Sequence, residues 1–165
     1  MKVLIYSFAI LIIFATFSVF HVDNDAFLYS QERLKHVADD CSAAASLYYD
    51  IDQFGGGYKV FNKAEGNKAI AYLIGVDLKK APQAYYTYYF DEDGKMSEYK
   101  GSELISSKSG IAYPYIFEES RTGYKTEIKK PTVVVTIDMG NFDYRLQFIS
   151  DKGLIRTSGY EYVGG

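Results

Sequence analysis

His36, Asp40 and Cys41 fall within six residues, and they are the nearest this chain comes to a nucleophile, a base and an orienting acid. On a helix His36 and Asp40 stand at i,i+4 and can pair. Cys41 is five positions from His36 and projects in another direction, whereas a cysteine nucleophile needs its base within hydrogen-bond reach. The trio reads as a surface histidine beside a small apolar cysteine on a packing face. Asp91-Glu92-Asp93-Gly94 resembles part of a calcium loop, but that loop needs further oxygen ligands and a Glu at its twelfth position. Position twelve from Asp91 is Ser102, so the run reads as an acidic hairpin turn. Gly55-Gly56-Gly57 lacks the Gly-Lys-Ser/Thr ending of a phosphate-binding loop. These residues assemble no catalytic, metal or cofactor set, and a non-enzymatic protein is expected.

Tyrosine supplies the other notable chemistry, at 17 of 165 residues. Tyr85, Tyr86, Tyr88 and Tyr89 are nearly consecutive. On a strand Tyr85 and Tyr89 share one face, and Tyr86 and Tyr88 the other. One face can pack on a helix while Tyr86 and Tyr88 form a candidate binding surface, since tyrosine joins a large apolar body to a polar tip. The competing and favoured reading is core and cross-strand filler.

The elements that must carry these residues begin with an anchor. Residues 3–20, VLIYSFAILIIFATFSVF, hold no charge. Eighteen residues of helix span about 27 Å, close to a bilayer core. Tyr6, Ser7, Thr16 and Ser18 form no continuous polar stripe, which disfavours a buried core helix. A cleaved signal peptide has a shorter apolar stretch and a small-x-small site. Here the stretch runs into Phe20-His21-Val22-Asp23, so an uncleaved membrane anchor is expected. Lys2 before it and Asp23 and Asp25 after it favour a cytoplasmic N-terminus. Setting Lys2 aside leaves 17 basic against 21 acidic residues over 22–165, a formal charge of −4. An acidic outer part argues against nucleic acid as a partner. The single cysteine excludes an intrachain disulfide, so the fold must rest on its apolar core.

Residues 24–49 contain no Pro or Gly, and Phe27, Leu34, Val37, Ala38, Cys41, Ala45 and Tyr48 recur at helical spacing. One helix from about residue 3 to 49 is expected, on the order of 70 Å long. A break at Asp23-Asn24-Asp25, where a new helix could be capped, is the alternative. Leu34, Val37, Ala38, Cys41, Ala45 and Tyr48 form the expected helix-packing and assembly face. Cys41-Ser42-Ala43-Ala44-Ala45-Ser46 adds small residues that permit close approach of other helices or of the chain's own sheet. Asp52 to Gly57 should stop the helix and form a joint. Asn62 and Glu65 predict a capped second helix to about Gly75.

From residue 84 the period becomes two. Strands are expected at Ala84–Asp91, Lys95–Lys100, Leu104–Ser107, Tyr113–Glu119, Tyr124–Lys130, Thr132–Asp138, Phe142–Ile149 and Leu154–Tyr162, joined by turns. Pro131 suits a strand start, and Thr132–Asp138 reads as central. The expected fold class is α+β: a long N-terminal helix, transmembrane then amphipathic, a short second helix and a C-terminal antiparallel sheet. The organisation is an anchor and stalk over 1–50, a Gly-rich joint over 51–61 and an extracytoplasmic head over 62–165.

A short N-terminus before an apolar-then-amphipathic helix, LKHVADDCSAAASLYYD at 34–50 and PTVVVTIDMG at 131–140 resemble the type IV pilin and pseudopilin plan. More narrowly, they resemble the TadE/TadG-like minor pilins of bacterial tight-adherence systems. Prepilins carry a basic leader, a Gly or Ala cleavage point and a Glu just inside the mature helix. Only Met1-Lys2 precedes this anchor and residues 3–20 hold no acid, which speaks against leader processing and against a major fibre subunit. The resemblance implies an accessory subunit of a pilus or secretion assembly, held in the bacterial cell membrane as a single pass. Its partners would be the lipid bilayer and other pilin-like or membrane subunits, met through the N-terminal helix. The alternative is a single-pass surface adhesin or ligand-binding module using the tyrosine-rich sheet.

Overall fold

A computed structural model of the chain describes residues 2–146 and 152–161. Its first element, α1, is one uninterrupted helix over Lys2–Ala45. At 1.5 Å per residue its 44 residues extend about 66 Å. There is no break at residues 23–25. Asp23 is buried inside the helix run and carries an ion pair with Arg145, so it does not act as a cap.

The two halves of α1 live in different surroundings. The apolar first half stands clear of everything else, with none of its most apolar 18-residue window buried. The core-helix reading is therefore excluded. Its serine and threonine hydroxyls are satisfied within the helix: Ser7, Thr16 and Ser18 donate to the carbonyls of Val3, Ile12 and Phe14 at 2.9–3.0 Å. Backbone acceptors four residues back hide these hydroxyls from an apolar medium. The second half buries Phe27, Leu34, Val37, Ala38, Cys41 and Ala45. This stripe packs on α3 (Lys63–Asp77) and on strands β6 (Thr132–Asn141) and β7 (Gly153–Glu161).

Beyond α1 lie α2 (Ile51–Gly55), β1 (Ala84–Phe90), β2 (Met96–Lys100), β3 (Glu103–Lys108), β4 (Tyr115–Glu119) and β5 (Tyr124–Ile128). Five strands form one antiparallel sheet in the order β3-β2-β1-β6-β7, and β4-β5 form a separate two-stranded sheet. The head thus has three layers. Helices α1 and α3 cover one face of the large sheet, meeting Tyr89, Val133, Val135 and Ile137. The β4-β5 hairpin covers the other, where Phe117 and Ile128 meet Tyr88, Phe90 and Val134. Burial on both faces explains why β6 reads as a continuous apolar run and does not alternate. It also explains aromatic residues on both faces of β1. Each fully buried Val, Ile or Phe contributes roughly 1.5–3 kcal/mol. The whole is α+β: a long apolar helix, short helices and an antiparallel sheet.

Several boundaries differ from expectation. Helix α1 ends at Ala45, before the glycines, where Leu47 and Tyr48 N–H turn back to Ala44 and Ala45 carbonyls. The supposed joint is itself structured. The Asp50 carboxylate caps α2 by accepting from Asp52 and Gln53 N–H at 3.1 and 3.2 Å. The chain returns through Gly57 at φ +88°, a left-handed geometry that glycine tolerates. Bonds from Asp50 N–H to Val60 carbonyl and from Asn62 N–H to Tyr48 carbonyl, both 2.9 Å, close the neck of this excursion. Asn62 caps α3 as expected, accepting from Glu65 N–H at 3.2 Å. The helix continues past Gly75 to Asp77 because Leu78 N–H still reaches Ile74 carbonyl at 3.1 Å. Gly140-Asn141, expected as a turn, belongs to β6, whose Asn141 pairs with Gly153 across a bulge. Residues 142–146 are irregular, and residues 147–149 of the strand expected there lie outside the described residues, as does Tyr162.

Candidate functional site

The amphipathic half of α1 was the expected assembly face, and the chain's own head occupies it. Leu34, Val37, Ala38, Cys41 and Ala45 pack with Ile70, Ile74, Val133, Val135 and Ile137 in one cluster. Within this chain they are intramolecular packing residues, so a neighbouring helix cannot reach them. Tyr48 falls beyond the helix and is 42% exposed, so it leaves the stripe altogether. The side of α1 that stays open carries Leu28, Tyr29, Lys35 and His36.

Polar contacts on the flanks of α1 also went unforeseen. Gln31 and Asp39, polar residues beside the stripe, accept from Arg156 and Ser158 of β7. Arg33 donates to the Asp77 carbonyl at the end of α3. These contacts tie the helix to both neighbours around its apolar stripe. Apolar periodicity carried no sign of them, because their partners lie more than 40 residues away in the chain.

Tyr86 and Tyr88 do not form an open surface. Tyr88 is 5% exposed and lies under the hairpin, its ring 4.9 Å from Phe117. Tyr86 is half-buried, with the Arg121 guanidinium 3.7 Å above its ring. The centre of this region is the buried Glu119 carboxylate. One oxygen accepts from Arg121 N–H, Thr122 N–H and Thr122 hydroxyl at 2.8–3.0 Å. The other accepts from Tyr88 hydroxyl at 3.1 Å and Arg121 Nη1 at 2.8 Å. Arg121 also reaches Glu98 at 3.2 Å. Burial alone would raise the Glu119 pKa, but Arg121, Thr122 and Tyr88 outweigh it and hold the carboxyl below its usual value. Burial, then the Glu119 and Glu98 charges, push the Tyr88 phenol up. Every carboxylate oxygen is engaged in fastening the β4-β5 turn to β1, so the arrangement is a clamp.

A second clamp joins the acidic turn to the segment before α3. Asp91 is fully buried and accepts from Phe61 N–H at 2.9 Å and Lys63 Nζ at 2.5 Å. Burial raises its pKa, while Lys63 and Phe61 pull the other way. Glu92 accepts from Lys59 N–H at 2.8 Å. These contacts are the turn's role in the described residues. No group of three or more His, Cys, Asp or Glu suited to a metal occurs among them.

His36 is exposed and Cys41 is buried, so the two are apart as their spacing implies. Cys41 Sγ lies 4.0 Å from the Ile70 carbonyl. Burial, with Asp40 and Asp77 adding to it, pushes the thiol up to about 12, which removes the thiolate that reactivity requires.

Part of the exposed apolar surface of the head lies at the far end of α1. Helix α2 buries none of its residues. Ile51 is 86% and Phe54 52% exposed, with Leu47 and Tyr58 exposed beside them in sequence. This cluster sits at the pole opposite the bare half of α1. Comparison with family models, with curated proteins and with solved structures finds no match.

Proposed function

We propose that this chain is a non-enzymatic, membrane-anchored, pilin-like accessory subunit of a bacterial pilus or secretion assembly. The observation that carries the reading is the division of α1. One rigid helix leaves some 20 apolar residues bare and then serves as the spine of an α+β head. Residues 3–20 cross the cell membrane as a single pass, the N-terminus lies in the cytoplasm, and the head stands outside. Partner subunits meet the bare half and the open side of the upper half, since the stripe from Leu34 to Ala45 is occupied. A photo-crosslinking residue placed in cells at Phe14, Tyr29 or Leu34 tests this. Adducts with pilus or secretion subunits, identified by mass spectrometry, are expected at Phe14 or Tyr29 and not at Leu34. Absence of any such subunit from both exposed positions would sink the reading.

The runner-up is an anchored adhesin or ligand-binding module. The observation that favours it is the exposed apolar cluster on α2, which moves its candidate surface from Tyr86 and Tyr88 to Ile51 and Phe54. Under that reading, Ile51→Asp with Phe54→Asp abolishes binding to cells at an unchanged melting temperature and leaves any pilus or secretion phenotype intact. Retained binding would discard it.

A further inference from the structure

We infer that the described part of the β6–β7 connection, residues 142–146 with Lys152, is a second membrane contact, a collar that seats the head on phospholipid headgroups. The inference rests on the anchoring reading and adds to it a surface the anchor does not include. Three observations place the connection at the membrane edge. Its neck closes where Phe142 N–H donates to the Lys152 carbonyl at 3.0 Å. Just beyond the neck, the rings of Phe142 and Tyr144 pack on Phe27 of α1 at 5.5 and 6.1 Å. At Arg145 the chain has reached Asp23, with Arg145 N–H donating to Oδ2 at 2.8 Å and Nε lying 3.3 Å from Oδ1.

From Phe27 to Asp23 is four helical residues, so the connection descends about 6 Å toward the bare half of α1. Asp23 lies three residues beyond Phe20, about 4.5 Å past the end of the uncharged run. A bilayer core of about 30 Å within a membrane of about 40–45 Å leaves roughly 5–8 Å of headgroup layer on each side. When residues 3–20 fill the core, Asp23 and Arg145 lie within that layer, and Phe27, about 10.5 Å past Phe20, lies just outside it with Phe142 and Tyr144.

The chemistry suits that position. Cations with apolar stems favour the membrane interface. The Arg145 side chain is 68% exposed although it pairs with Asp23, and a planar guanidinium presents donors that match phosphate. Lys152 Nζ stands 5.4 Å from the Phe27 ring. The buried Asp23 carboxylate would be poorly solvated so near hydrocarbon, and the collar supplies its donors. Asp23, Asp25, Asp143 and Asp151 stand against Arg145 and Lys152, a formal charge of −2, so the surface suits zwitterionic and not anionic lipid.

The chain contains no tryptophan, which permits a clean depth measurement on the full-length protein in phosphatidylcholine vesicles. Three single-tryptophan variants form the ladder: Phe14→Trp in the bare helix, half-buried Leu146→Trp in the collar and exposed Leu47→Trp at the far pole. Lipids brominated on the acyl chain act as quenchers. Phe14→Trp should lose most of its emission. Leu146→Trp should also be quenched, more by bromine near the headgroup than by bromine near the chain end. Leu47→Trp should be unaffected. If Leu146→Trp behaves like Leu47→Trp while Phe14→Trp is quenched, the collar is wrong and the anchor stands. If Phe14→Trp is not quenched either, both fall. Should Leu146→Trp disturb the fold by circular dichroism, a nitroxide on Leu146→Cys gives the same decision. Greater collision with lipid-dissolved oxygen than with an aqueous nickel reagent supports the collar, and the reverse overturns it.

Discussion

Cys41 and Glu119 show how surroundings decide what a reactive side chain does. Cys41 has no exposed surface and a thiol pushed up to about 12 by burial, with Asp40 and Asp77 adding to the shift. In the folded protein a disulfide reagent at mildly alkaline pH should leave it unmodified, and modification should be rapid in denaturant. Rapid reaction of the native protein would contradict the packing of α1 on α3. Glu119 makes an acid-stability prediction. Its folded pKa lies below the ordinary value of 4.5, so near and below that value the unfolded chain binds the proton more readily. Stability then rises with pH across the window, is fully present above 4.5 and is lost as pH falls through the lowered folded value. Asp91 works in the opposite sense, since its folded pKa is raised. Comparing Glu119→Gln with the parent protein cancels the Asp91 contribution. The variant should show a shallower fall in melting temperature on acidification, and parallel curves would remove Glu119 from the acid limb.

Close approach of elements sets the strongest local constraint at Gly66 on α3. A Cβ there would meet the Tyr89 hydroxyl at 2.5 Å. Tyr89 is fully buried and its hydroxyl donates to Asn67 Oδ1 at 2.9 Å, so it has nowhere to move. Gly66→Ala gains about 1 kcal/mol of helix propensity and loses about 1–3 kcal/mol by overpacking. A net loss of stability on chemical denaturation is expected, and a net gain would show that α3 can lift from β1. Much of the element pattern was legible in the sequence. Helical spacing identified Phe27, Leu34, Val37, Ala38, Cys41 and Ala45, and Asn62 marked the start of α3. Period-two runs and turn residues located most of β1 to β7. What was not legible depends on partners distant in the chain. A binding surface at Tyr86 and Tyr88 stayed open beside the favoured filler reading because the β4-β5 hairpin that covers Tyr88 lies some 30 residues later. The glycines after Phe54 looked like a joint because the Asp50 cap that winds α2 acts over only two or three residues. A helix break at Asp23 stayed open as the alternative to one continuous helix because Arg145, which offsets the burial of Asp23, is 122 residues away.

The molecule as a whole is a rod with a head packed around its upper half, and the candidate surfaces follow from that shape. The stripe from Leu34 to Ala45 holds the head in place. The bare lower half and the open side near Tyr29 are what remain for neighbours in a membrane. The pole at Ile51 and Phe54 is what remains for anything farther out. All of this requires α1 to stay continuous through Asp23-Asn24-Asp25 when the protein sits in a bilayer. Pulsed electron paramagnetic resonance on a double variant, Phe8→Cys with Tyr29→Cys, measures that continuity directly, because buried Cys41 stays unlabelled. The 21 residues between the labels correspond to about 32 Å of helix axis. A single narrow distance distribution centred near that length in phospholipid vesicles is the expected result. A broad or markedly shorter distribution would mean a hinge at residues 23–25, and the head would then be tethered to its anchor without being built upon it.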